Sequence, residues 1–261
     1  MKKIRIFSVV ISVVLFFAVV AFGANRVFSV EEIEIKYTVV SAEGRSDSEA
    51  LQKKLEKEYV GKSSFFVKKE EVLSAFRNYP YFIVTDFKKV YPNKLTLSVE
   101  EKTEKYAFAV TEGDRDVYYV ADDTGDILRK SEKNENKADG GENVLVTGLK
   151  FSNGNFTADE YFSVVIRSCE KAEQFAGAAR SCIESFEIQR DATGAMMIIE
   201  TREGVTIYID NPAVETDKKI EAAIRYYIEL EDKDKLFGYI TVLDDMRGDG
   251  AIVGPTYTPR E

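Results

Sequence analysis

Ser168 and Lys171 stand in the Ser-x-x-Lys spacing of penicillin-binding enzymes, where a lysine one helical turn on from the serine helps it act as a nucleophile. That chemistry also needs Ser-Asp-Asn and Lys-Thr-Gly segments, and the chain has neither, so the pair reads as helix surface. Gly61-Lys62-Ser63 matches the end of a phosphate-binding loop, but the glycine required five positions earlier is Glu56. Asp122-Asp123 and Asp244-Asp245 offer paired carboxylates for acid-base or calcium chemistry. Adjacent side chains on a strand point to opposite faces, and no Asp-x-Asp-x-Asp-Gly loop is present, so turn and surface roles fit these residues better. Arg247-Gly248-Asp249 and Asn155-Phe156-Thr157 match adhesion and glycosylation patterns short enough to arise by chance.

The chain has no histidine, and its only cysteines are Cys169 and Cys182. The usual zinc ligand sets and any hydrolase with a histidine base are therefore excluded. The two cysteines suit either one disulfide outside the cell or two buried thiols. No cofactor, metal or small-molecule substrate is expected, and the residues that could act chemically do not form a catalytic set.

The elements that would position these residues follow from pattern. At 261 residues, 44% hydrophobic and 31% charged, the chain has room and apolar content for two globular domains. Without Lys2, Lys3 and Arg5, 33 basic residues stand against 45 acidic ones, a net charge of −12. An acidic body repels phosphate backbones and anionic lipid headgroups, which disfavours nucleic acid and favours protein partners.

Ile6 to Ala24 is an apolar run of 19 residues interrupted only by Ser8 and Ser12. A helix of that length spans about 28 Å, and the basic residues before it predict a cytoplasmic N-terminus and a single-pass, type II arrangement. Segment 1–5 is then a cytoplasmic tail and 6–24 a transmembrane helix anchored in the lipid bilayer by residues such as Ile6, Phe16, Phe17 and Phe22. The competing reading is a cleaved secretory signal ending near Ala21-Phe22-Gly23.

Beyond it, Ile33, Ile35, Tyr37 and Val39 alternate with polar residues as a half-buried strand does. Leu51, Leu55 and Tyr59, then Val72, Phe76 and Tyr79, recur at helical spacing until Pro80. A strand over Tyr81 to Tyr91, a turn at Pro92-Asn93 and the alternation of Leu95, Leu97 and Val99 complete a β-α-α-β-β order over 28–102. From 105 to 254 the pattern predicts a mixed sheet with two helices. One helix runs from Thr157, as a cap, to about Ala176, and the other is capped by Thr216 and carries Ile220, Ala223, Ile224, Tyr227 and Leu230. The charged stretch 131–143 reads as a mobile loop and 255–261 as a C-terminal tail. The fold class expected overall is α+β, with an N-terminal transmembrane helix ahead of both domains.

Several segments lie in an order similar to that of a known family. They are Gly61-Lys62-Ser63-Ser64-Phe65-Phe66, Tyr79-Pro80, Tyr91-Pro92-Asn93-Lys94-Leu95-Thr96-Leu97-Ser98-Val99 with Glu101-Lys102, and Tyr118-Tyr119-Val120 through Asp123 and Gly125. Leu145-Val146-Thr147-Gly148, Asp245-Met246-Arg247, Asp249-Gly250-Ala251 and Val253-Gly254 follow. Together they resemble the FtsQ/DivIB family of bacterial cell-division proteins over nearly the whole chain. Departures include Lys102 where arginine is common, Glu104 where proline is common, and no glycine directly after the first strand.

The resemblance implies a POTRA domain over 28–102 and a β domain after it. It further implies a non-enzymatic divisome scaffold at the division septum, which binds FtsB or DivIC and FtsL outside the membrane and helps control septal peptidoglycan synthesis. Binding would use β-strand addition at the C-terminal sheet edge, which matches Arg247, Asp249, Gly250, Ala251, Ile252 and Val253, with Tyr226 and Tyr227 on the preceding helix. The alternatives are an exported cell-wall enzyme and another POTRA-type assembly or transport factor.

Overall fold

The structure is a computed structural model that describes residues 13–16, 19, 23, 26–38, 41, 44–177, 182–192, 194–244 and 252–259. The fold is mixed α/β and mostly strand, divided into two compact units between Lys102 and Thr103.

In the first unit, β1 (Glu32–Tyr37) and β3 (Lys94–Glu101) pair in parallel, and β2 (Phe82–Val90) pairs antiparallel to β3 on its other side. A parallel pair needs a crossover, which is supplied by α1 (Gly44–Tyr59), α2 (Lys69–Ser74) and the 3-10 turn Ala75–Asn78. One side of this segment is apolar: Leu51, Leu55, Tyr59, Val72 and Phe76 close over Leu95, Leu97 and Val99. At the start of α1, the Gly44 N–H donates to Ser41 Oγ at 2.9 Å, while Ser41 Oγ donates to Glu101 at 2.7 Å. A side chain at position 44 would collide with that carboxylate, because its Cβ would lie 2.5 Å from Glu101 Oε1.

The second unit is one nine-stranded sheet, built from β4 (Tyr106–Glu112), β5 (Arg115–Ala121), β6 (Ile127–Ser131), β7 (Val144–Thr147), β8 (Ile183–Arg190), β9 (Ala195–Thr201), β10 (Val205–Asp210), β11 (Gly238–Asp244) and β12 (Ile252–Thr258). Their spatial order is β12-β11-β10-β9-β8-β7-β4-β5-β6. The parallel pairs β7–β8 and β10–β11 are joined by α3 (Phe162–Ala176) and α4 (Thr216–Glu229). Both helices pack on each other and over one face of the sheet, where Val165, Cys169, Ile220 and Ile224 meet Phe186, Met197, Ile207 and Ile240.

The expected transmembrane helix is corrected here. Among the described residues no helix is long and apolar enough to cross a membrane. The longest of the helices named here, α1, has 16 residues with a charged outer side, short of the roughly 20 apolar residues a span requires. Of the residues read as anchors, Phe16 is exposed, and Ile6, Phe17 and Phe22 lie outside the described residues.

Further differences have local causes. Segment 131–143 is pinned rather than loose: Asn136 and Asn143 are buried, and Asn136 Nδ2 donates to Glu104 O at 2.9 Å and Asn143 Oδ1 at 2.7 Å. The Glu104 carboxylate, itself buried, accepts from Arg129 Nε at 2.7 Å and from the Lys137 N–H at 3.0 Å. α3 begins at Phe162, because Asn155 takes the N–H and hydroxyl of Thr157, and Asp159 accepts the Tyr161 N–H. Thr216 is the first residue of α4, and its hydroxyl donates back to Pro212 O. Residues 255–258 are strand, not tail, since β12 continues to Thr258.

Candidate functional site

β12 carries the candidate surface. It pairs antiparallel with β11 and ends the sheet, so no described strand lies on its outer side. Backbone groups on that side are the kind an extended partner would satisfy. Register places Tyr257 opposite Ile240, Thr256 opposite Thr241, Val253 opposite Leu243 and Ile252 opposite Asp244. Gly254 and Pro255 together stand opposite Val242, which is a bulge. Gly254 suits this geometry, with φ +109° and a position where a Cβ would come within 2.6 Å of Thr241 O.

The strand is tied down at its end. Tyr257 Oη donates to Phe237 O at 2.8 Å and lies 3.0 Å from Asp234 O, so the ring joins β12 to the turn between α4 and β11. Alternation gives β12 two faces. Ile252 and Tyr257 point to the helix-covered core, and Val253, Thr256 and Thr258 to the open face. On that open face Val253 is 49% exposed and its partner Leu243 41%, beside Tyr239 and Tyr208 with ring centroids 5.8 Å apart. The result is an apolar strip running up to a backbone edge on which no described strand pairs.

A buried cation holds the other side of the edge. Lys219 on α4 has no solvent exposure, and its Nζ donates to Asp210 O at 2.7 Å and Asn211 O at 3.0 Å while pairing with Asp244. It thereby fixes the ends of β10 and β11 to the helix.

Residues singled out in the sequence fall in different places. Ile252 and Val253 share the edge strand but face opposite ways, whereas Arg247, Asp249, Gly250 and Ala251 lie outside the described residues. Tyr227, already part of the helical stripe of α4, is buried, and its hydroxyl donates to Glu203. Burial holds that phenol above its ordinary range, with the Glu203 carboxylate adding to the shift. Tyr226 is half-buried at the rim of the same core. Leu243, Tyr239 and Tyr208 were not singled out as contacts. The signal for them is apolar side chains on both faces of the β11 alternation, Tyr239 and Leu243 against Ile240 and Val242.

The sharper motifs resolve into structural roles. Ser168 is fully buried, not helix surface, and its hydroxyl donates to Val164 O at 2.7 Å. Asp122 accepts from the N–H and hydroxyl of Thr124 and from the Asp126 N–H, which makes it a turn residue. Asp159 accepts from the Lys150 N–H at 2.7 Å and from both Nη2 contacts of Arg190 at 2.6 Å, closing the loop after β7. Gly148 in that loop passes so near β8 that a Cβ would lie 2.1 Å from Ile188 O. Cys169 and Cys182 are not joined in a disulfide, and burial pushes Cys169 up to about 11 and raises Cys182. Among the described residues no group of three or more His, Cys, Asp or Glu is placed to hold a metal ion. No protein-family model matches the chain, and no curated protein matches it either.

Proposed function

We propose that this protein is a non-catalytic scaffold of bacterial cell division. It works at the septum on the outer side of the membrane, where it takes a segment of FtsB or DivIC, together with FtsL, onto the sheet edge at β12. The reading rests first on the resemblance of the ordered sequence motifs. The observation that carries it furthest is the outer side of β12, where no described strand pairs, beside an exposed apolar strip. Edge hydrogen bonds supply affinity to any extended chain, and the side-chain strip supplies preference.

Pro255 offers no N–H, and the bulge bends the strand, so the edge is broken into two short stretches. This arrangement limits indiscriminate pairing and selects a partner able to follow the bend. A fluorescent fusion of the full chain should form a band at the division site. A purified complex of FtsB and FtsL should bind the full chain, with hydrogen-exchange protection gained over 252–258. A diffuse or polar distribution in dividing cells, or an unprotected β12 in the complex, rules the reading out.

A further inference from the structure

Phe66 is 80% exposed, and Phe65 and Tyr91 are each more than half exposed. These rings are not scattered. Phe28, Phe65 and Tyr91 meet at centroid distances of 4.6, 5.4 and 6.1 Å, so three separate segments of the first unit bring their aromatic tips to one end of it. The meeting is built into the backbone. Ser64 N–H donates to Phe28 O at 2.7 Å, Gly61 N–H to Val30 O at 2.8 Å, and Ser64 Oγ to Pro92 O at 3.2 Å.

Charge marks the same place. Within 26–31, 60–69 and 88–94 the sequence has seven basic residues and one acidic one, Glu31, in a chain whose net charge is −9. Lys94 pairs with Glu32 and Glu34, Lys88 pairs with Asp86, and Lys69 also faces Asp86 electrostatically, which leaves Arg26, Lys62, Lys68 and Lys89 as the cationic surround. Lys89 Nζ donates to Phe65 O at 3.3 Å, so its stem lies against the aromatic tip, while Lys62 lies over the buried Tyr59 ring at 4.9 Å, two residues before Ser64. Exposed aromatic rings with an apolar body, ringed by lysines on flexible apolar stems, are the composition that settles at a lipid-water boundary.

We infer that the Phe28, Phe65 and Tyr91 cluster and the exposed neighbouring ring of Phe66, with Lys62, Lys68 and Lys89, dock this unit onto the surface of an anionic phospholipid bilayer. Contact at this end holds the unit in one orientation on the membrane. This surface is distinct from the β12 edge and does not depend on the division reading.

The chain contains no tryptophan, which makes the test direct. Phe66→Trp in the full chain gives a single reporter, mixed with vesicles of equal parts phosphatidylcholine and phosphatidylglycerol carrying bromine near the headgroup end of the acyl chains. The emission should shift to the blue and be quenched, while Leu236→Trp in the second unit keeps its emission. Lys62→Gln and Lys68→Gln, placed in the Phe66→Trp chain, should each lower the docked-to-undocked ratio by about fivefold on these vesicles. Unchanged emission of Phe66→Trp, equal quenching of Leu236→Trp, or indifference to the lysine changes overturns the inference. So does a blue shift that appears without vesicles and grows with protein concentration, because a second copy would then cover the patch.

Discussion

Two neighbouring side chains on β12 separate binding from folding. Val253 projects from the open face and is half exposed, whereas Ile252 turns inward to the core beneath α4. Val253→Lys should therefore weaken binding of the FtsB–FtsL complex at least about tenfold in a calorimetric titration, with little change in the thermal midpoint. Ile252→Lys should weaken binding too, but by destabilising the fold by about 1–3 kcal/mol, since it forces a charge toward an apolar layer. Equal stability of the two variants would show that the assignment of faces is wrong. Cys169 provides a second residue-scale test. Its thiol is fully buried, and burial moves it from an ordinary value of 9.0 to about 11, so the folded state holds the proton more tightly than the unfolded state. Its stabilising contribution is complete below pH 9.0 and disappears as the pH climbs through about 11. Compared with Cys169→Ala, the wild-type chain should lose about 2 kcal/mol more stability in denaturant titrations carried from pH 8 to pH 11.

At the scale of elements, α4 is held to the ends of β10 and β11 by one fully buried lysine. Lys219→Met removes three polar contacts and leaves Asp244 without its cation, so the cost should be about 3–5 kcal/mol. Adding Asp244→Asn should recover a good part of that loss, measured as the urea midpoint of the double variant against the single ones. An additive double variant would mean that the pair does not act as a unit. Lys219 also shows what pattern reading leaves out. The stripe Ile220, Ala223, Ile224 and Tyr227 marks α4 plainly, because helical period and burial coincide there, but nothing in a charge within the first turn tells that it is buried. The strands at Ile33 to Tyr37, Leu95 to Val99 and Val205 to Ile209 were legible for the same reason: one face is buried, and the alternation is clean. β4 was not legible, since Tyr106, Ala107 and Phe108 are all buried and the period of two disappears from the sequence. The anchoring of 131–143 was hidden because it depends on Glu104, more than twenty residues away in sequence, and charged loops usually do face water. At the candidate site, the resemblance drew attention to Ile252 and Val253, but which of them faces outward is decided by the bulge at Gly254-Pro255 and the pairing with β11.

At the scale of the whole molecule, the two units close separate cores. All residues of one apolar cluster, from Val30 to Val99, precede Lys102, and all those of the other, from Tyr106 to Val242, follow Thr103. Each core is completed by its own crossover helices, so packing in one does not require the side chains of the other. Cooperative unfolding follows shared burial, which implies two transitions, and a core substitution should act on only one of them. Leu97 and Ile207 are both fully buried, Leu97 on the central strand of its sheet and Ile207 on β10, which is paired on both sides. Leu97→Ala should lower the transition of the smaller unit by about 2–5 kcal/mol, and Ile207→Ala should do the same to that of the nine-stranded unit. Differential scanning calorimetry on the full chain and both variants measures this directly. If either substitution moves both transitions equally, the units fold as one body, and a change at the aromatic end of the first would be felt at the β12 edge of the second. If each moves only its own, the first unit is free to serve membrane contact, and the second to serve partner binding, without either surface constraining the other.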